Sequence, residues 1–207
     1  MKIEKKVNCV DRHLETRADQ TAFIWEGDDP DRIEKITYGE FYDLVCRLSN
    51  VLSQANVKTG DAVIIYLPCS IIACAAMMAC TRIGAPHAVV FAGFSPGALA
   101  DRINDSGAKV VITMDGATRA GKVVELKKIV DEAVQSCPQV THCFVTGRLG
   151  RFTVRDIDVG DDFITGTSVR ASDWLANQKT DFKMKTKKAM LITRLKIHSI
   201  IIWMTQL

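Results

Sequence analysis

The stretch AVIIYLPCSIIACAAMMACTRIGAPHAVVFAGFSPGALADRINDSGAKVVITM (62–114) decides the fold. It opens on a continuous apolar run (62–67) with no polar alternation, the pattern of a strand covered on both faces in a parallel sheet. Residues 70–83 then read as a buried helix, and Gly84 supplies its stop. HAVVF (87–91) predicts a second strand. Ser95 and Pro96 offer an N-cap and a proline at the first helical position, and that helix closes near Gly107. KVVITM (109–114) predicts a third strand.

The same alternation continues on both sides. Downstream, 123–135 is expected to be a helix with Val123, Leu126, Val130, Ala133 and Val134 on one broad face, and THCFVT (141–146) a fourth strand. Upstream, 21–25 and 33–38 read as strands around the acidic turn EGDDPDR, which makes a hairpin. Thr37 and Glu40 form a Thr-x-x-Glu capping box, after which Phe41, Leu44, Val45, Leu48 and Leu52 share one helical face. Four buried strands separated by three helices predict an α/β fold. Its core is a doubly wound, mostly parallel sheet flanked by helices, with a short N-terminal strand hairpin. The expected organisation is one α/β unit over 1–146 and a looser continuation over 147–178. A basic, then apolar, tail over 179–207 is read as disordered.

The net charge of +3 belongs to that tail. Seven Lys or Arg and one acid lie between 179 and 196, which leaves 20 basic and 23 acidic residues elsewhere. This gives no reason to expect nucleic acid as a partner. No run reaches the ~20 apolar residues of a membrane span, and MKIEKKVNCV lacks the apolar core of a secretory signal. The seven cysteines, odd in number and without a CxxC pair, favour a reducing compartment over disulfides or a zinc site. No metal or catalytic residues are assigned.

In open α/β sheets ligands bind outside the carboxyl ends of the strands, which draws attention to FAGFS (91–95) and DGATRAGK (115–122). The string from Gly116 to Lys122 fits G-x-x-x-x-G-K, but Val123 stands where a phosphate loop needs Ser or Thr for magnesium. Two weaker readings remain open. Arg119 and Lys122 at a helix amino terminus can bind a ligand phosphate, or the segment is a solvated basic turn. Phe91 and Phe94 flank a small-residue turn where backbone can approach a planar ring, although core packing explains Phe94 equally well. His87 reads as a core histidine. There is no G-x-G-x-x-G and no G-x-S-x-G.

Several strings together resemble the acetyl-CoA synthetase branch of the AMP-forming acyl-CoA ligases. They are NCVDRH (8–13), FIWEGDDP (23–30), ITYGEFYDLVCRLSNVL (36–52), GDAVIIYLP (60–68), CTRIGAPHAVVFAGFSPGALADRI (80–103) and DSGAKVVITMDGATRAGK (105–122). The resemblance runs from about Asn8 to Phe144, and more loosely to about Leu175. It implies that Phe91, Ala92 and Gly93 lie against the adenine nucleotide end of coenzyme A, and that the turn Arg119, Ala120, Gly121, Lys122 contacts its phosphates. Lys122 stands where many relatives carry Arg, so charge is kept and the bidentate fork is lost. The apolar stretch CSIIACAAMMAC departs from the family's usual form. The complete family reaction joins acetate, ATP and CoA into acetyl-CoA, AMP and pyrophosphate with magnesium. The Thr/Ser/Gly-rich phosphate loop, the later nucleotide-binding segments, the acyl pocket and the carboxy-terminal domain of that family have no counterpart here. Three functions follow as expectations. The first is an amino-terminal fragment inactive alone that keeps part of the CoA site. The second is a non-catalytic short form that docks on the full-length synthetase or on itself, and the third a P-loop-like nucleotide hydrolase. The implied location is the cytoplasm, with nucleus and mitochondria also used by the family.

Overall fold

The computed structural model describes residues 9–27, 31, 33–119, 121–146 and 169–170. The expectations placed on Ala120, on the remainder of 147–178 and on the 179–207 tail fall outside these residues.

A single 3-10 turn (Asp11–His13) and the short helix α1 (Leu14–Arg17) lead into strand β1 (Thr21–Glu26), which pairs antiparallel with β2 (Ile33–Thr37) as the expected hairpin. Helix α2 (Tyr38–Gln54) starts at the predicted capping box. The Glu40 backbone N–H donates to Thr37 Oγ1 at 3.2 Å, and the Thr37 backbone N–H donates to Glu40 Oε2 at 2.8 Å. Its apolar face, Phe41 to Leu52, is buried. Strand β3 (Val63–Leu67) and helix α3 (Ile71–Ile83) follow, the helix capped by the Ser70 side chain and ended by Gly84 at φ +76°. Next come β4 (His87–Phe91), α4 (Pro96–Ser106), β5 (Val110–Met114), a small hairpin of β6 (Ala117–Arg119) and β7 (Lys122–Val124), α5 (Leu126–Val134), β8 (His142–Thr146) and β9 (Val169–Arg170).

Five of these strands form one parallel sheet in the order β4-β3-β5-β8-β9. The chain leaves β3 toward β4 and leaves β5 in the opposite direction toward β8. Right-handed crossovers therefore put α3 on one face and α4 and α5 on the other. The observed pairings agree, with α2 packed on α3 and α4 packed on α5. Every residue of β3 and β5 is buried, and each aliphatic side chain so covered contributes about 1.5–3 kcal/mol of transfer free energy. The core is thus the central strand pair with a helix layer on each side.

Two expectations change. HAVVF is a strand, but it is an edge strand among the described residues: Val90 is buried while Val89 and Phe91 are exposed. Its apolar composition reflects one covered face rather than two. The helix expected from Val123 begins at Leu126, because 117–124 is taken up by the hairpin and Val123 lies exposed on β7. Thr118, Val123 and Val124 are β-branched and Gly121 sits at φ +73°, so local preference and turn geometry both favour a hairpin.

Candidate ligand site at the carboxyl edge of the sheet

The reversal of chain direction between β3 and β5 is a topological switch point, and the crevice at the carboxyl ends of such strands is where open α/β sheets hold ligands. Tyr66, near the end of β3, is fully buried and connects its parts. Its hydroxyl donates to the Phe94 carbonyl at 3.0 Å, and its own carbonyl accepts from Thr113 Oγ1 of β5 at 3.0 Å. Burial raises the Tyr66 hydroxyl above the ordinary tyrosine range, while a hydrogen bond with the Gly93 backbone pulls the other way. Tyr66 therefore stays a neutral donor and pins the turn from Phe91 to Phe94 to the middle of the sheet.

Within that turn Gly93 has φ +156°, and a Cβ there would stand 3.0 Å from Arg119 Nη1 and 3.1 Å from the Phe91 ring. Arg119 comes from a different loop. Its guanidinium carbon lies 5.2 Å from the centroid of the Phe91 ring, whose side chain is 57% exposed. Two segments separated by more than twenty residues in sequence thus meet over one glycine. Phe94 meets Phe91 at 65° with ring centroids 6.1 Å apart, and the Arg102 guanidinium carbon lies 4.5 Å from the Phe94 centroid.

The hairpin that presents Arg119 is anchored at its root. Asp115 Oδ1 accepts from the Gly116 N–H at 2.8 Å, and a Cβ on Gly116 would approach the Val124 carbonyl to 3.1 Å. Arg119 pairs with Lys122 across the ladder, so the tip carries two exposed cations with Gly121 between them in sequence. Among the described residues neither cation forms an ion pair, which leaves both charges available to an anion. The arrangement is not a phosphate loop wound around a helix start. The hairpin pairs its backbone groups with each other, and Glu125 at the head of α5 makes no side-chain cap.

The structure therefore brings together Phe91, Ala92, Gly93, Arg119, Gly121 and Lys122, while Ala120 lies outside the described residues. His87 sits half-buried at the amino end of β4, away from this edge. Sequence reasoning missed Tyr66 and Arg102. The signal for Tyr66 was a tyrosine in an otherwise aliphatic run, whose hydroxyl needs a partner when buried. Arg102 sits on the outer face of α4, and no local pattern marks it.

The seven cysteines are free, and Cys9 and Cys69 are exposed. Burial pushes the thiols of Cys80 and Cys143 up to about 12, so both are inert core groups. Among the described residues no group of three or more His, Cys, Asp or Glu is placed to hold a metal ion, and no helix is long and apolar enough to cross a membrane.

Residues 10–163 match the family model described as AMP-binding enzyme. The acetyl-coenzyme A synthetase of Halorhodospira halophila is 57% identical over 143 residues, covering 69% of this chain and 22% of that protein. The human protein named acetyl-coenzyme A synthetase 2-like, mitochondrial, is 51% identical over 154 residues, or 74% of this chain and 22% of the relative. The crystal structure of a Brucella canis acyl-CoA synthetase superposes with a TM-score of 0.65 at 21% identity, over 86% of this chain and 28% of that one, a likeness of fold. The chain spans between a fifth and a quarter of the length of these two relatives.

Proposed function

This chain belongs to the AMP-binding enzyme family, and on that premise we propose that it carries the nucleotide half of a coenzyme A site without the groups that activate an acyl substrate. The observation behind this reading is the meeting of Gly93, the exposed Phe91 ring and Arg119, which forms no ion pair among the described residues, at the switch point. An open ring edge beside a close-approach glycine suits an adenine ring. Two exposed cations suit the phosphates of the same nucleotide, with Arg119 able to grip two oxygens and Lys122 acting as a point charge.

Acetyl-CoA synthesis from acetate, ATP and CoA is the reaction proposed for the complete protein of this type, in keeping with the names of the relatives. Transfer at a phosphorus centre needs several charges converging on the reacting oxygens and a divalent cation. The described residues present two cations on one hairpin and no cluster of carboxylates for a metal. They fit recognition of a phosphate-bearing ligand and give no route to an adenylate. In this reading the 207-residue chain alone binds CoA weakly, because a partial pocket lacks the converging contacts of a full one, and does not turn over ATP.

Isothermal titration of the chain with CoA and, separately, with Mg-ATP tests the proposal, with Arg119→Ala as the comparison. Weak CoA binding lost in Arg119→Ala, with no heat from Mg-ATP, is the expected result. Magnesium-dependent ATP binding would replace the reading with that of a nucleotide hydrolase, against which the hairpin geometry of 117–124 already argues.

A second reading, docking on a full-length synthetase or on a second copy, draws on the edge strand β4. Val89 and Phe91 are exposed on it, and its outer edge is unpaired among the described residues. The two readings are compatible. For compartment, seven free thiols fit a reducing one, and the cytoplasm is the place proposed.

A further inference from the structure

Arg102, Phe94, Phe91 and Arg119 form a continuous row of alternating contacts at the carboxyl edge. Arg102 lies over the Phe94 ring at 4.5 Å, Phe94 meets Phe91 at 65° with centroids 6.1 Å apart, and Phe91 carries Arg119 at 5.2 Å. We infer that Arg102 and Phe94 are positioning residues that set the orientation of Arg119 before any ligand arrives. This inference rests on the proposal that Arg119 binds ligand phosphate.

Each link has a physical reason. A ring presents negative charge on its faces and positive charge at its edge, so it holds a guanidinium on its face and a second ring edge-on. The row satisfies both preferences, with one cation at each end. The Arg102 end is fixed to the helix: its Nη1 donates to the Ala98 carbonyl of α4 at 2.8 Å. Tyr66 fixes the backbone of Phe94 through its carbonyl, and the half-buried ring packs on one side against the core. Arg102 adds a second constraint on the ring plane from the solvent side of α4. Phe91 stands exposed on an edge strand, so Phe94 is the neighbour that limits its rotation. Arg119 projects from a hairpin tip, where a long side chain otherwise samples many rotamers. Resting on Phe91 beside Gly93, it is held where a phosphate would arrive. Pre-organisation of this kind raises affinity by reducing the entropy lost on binding.

The test reads Arg119 directly, without ligand. In the full 207-residue chain the Arg119 Nε–Hε resonance, identified by its loss in Arg119→Lys, is expected to be displaced by the Phe91 ring current. Arg102→Gln should move that resonance toward the position of a free arginine, Arg102→Lys should restore it, and Phe94→Leu should reproduce the Arg102→Gln result. CoA affinity should fall about two- to five-fold in Arg102→Gln and recover in Arg102→Lys, the size of one exposed cation–π contact. An Arg119 resonance that ignores both Arg102→Gln and Phe94→Leu overturns the inference, and a loss of affinity that Lys does not recover also counts against it. If Arg102→Gln fails to fold, Phe94→Leu decides the matter alone. Absence of CoA binding by the unsubstituted chain would reject the phosphate reading of Arg119, while the resonance still reports whether the row positions it.

Discussion

Gly93 has little room for change, because its φ of +156° strains any side chain and a Cβ would press on Arg119 Nη1 at 3.0 Å and the Phe91 ring at 3.1 Å. Gly93→Ala should cost about 1–2 kcal/mol of stability and should push Arg119 away, so urea unfolding and CoA titration are expected to report losses together. Arg119→Ala, an exposed change, should lose binding with stability within about 0.5 kcal/mol of the parent. The buried thiols predict a pH effect. Cys80 and Cys143 ionise near 12 when folded against an ordinary 9, so the unfolded chain gives up these protons first. Their contribution to stability is complete below pH 9 and is lost as pH rises from 9 toward 12, which chemical unfolding at pH 8 and 10.5 measures. Iodoacetamide at pH 8 should label exposed Cys69 in the native protein and leave Cys80 and Cys143 untouched until denaturant is added. Phe91, Gly93, Arg119 and Lys122 drew attention in the sequence because they lie at or just beyond the carboxyl ends of β4 and β5 and resemble a known family's site, and their ligand role is the proposal made above. Arg102 did not, since its partner ring comes from an adjoining turn and sequence spacing says nothing of ring planes.

Caps and punctuation carried most of the element boundaries. Ser70, Ser95 and Thr37 each hold the start of a helix as their residue types and spacing require, and Gly84 and Gly107 end two of them at positive φ. Thr37→Ala should destabilise the protein by about 1 kcal/mol, read from urea midpoints. The Glu40 carboxylate of the same box is held below its ordinary 4.5, chiefly by the Thr37 backbone N–H. A carboxyl depressed on folding stabilises above its unfolded value and loses that contribution as pH falls through the folded one. The stability difference between the parent and Glu40→Gln should therefore be constant above about pH 5.5 and shrink below pH 4.5. The hairpin at 117–124 escaped the sequence reading because Val123 and Val124 serve a helix face and a β-ladder equally well. Only the turn at Gly121, itself the second glycine of the G-x-x-x-x-G-K string, separated the two. The edge position of β4 was illegible for a similar reason: HAVVF has the composition of a covered strand, and strand order is set by tertiary pairing rather than local pattern.

The doubly wound topology was readable because four apolar runs alternate with three helical ones, and right-handed crossovers leave few ways to arrange them. What strand order adds is the switch point, and with it the reason why the loops after β3, β4 and β5 converge. The exposed apolar edge of β4 predicts concentration-dependent association, which sedimentation would detect and which Val89→Lys should abolish while leaving the fold intact. The most direct test of the half-site is an amide-resolved titration of the isotopically labelled chain with CoA. Shifts confined to 91–94 and 116–122, and absent in Arg119→Ala, are the predicted result. Shifts centred on another part of the sheet, or an unchanged pattern in Arg119→Ala, would contradict the assignment of this edge to the CoA nucleotide.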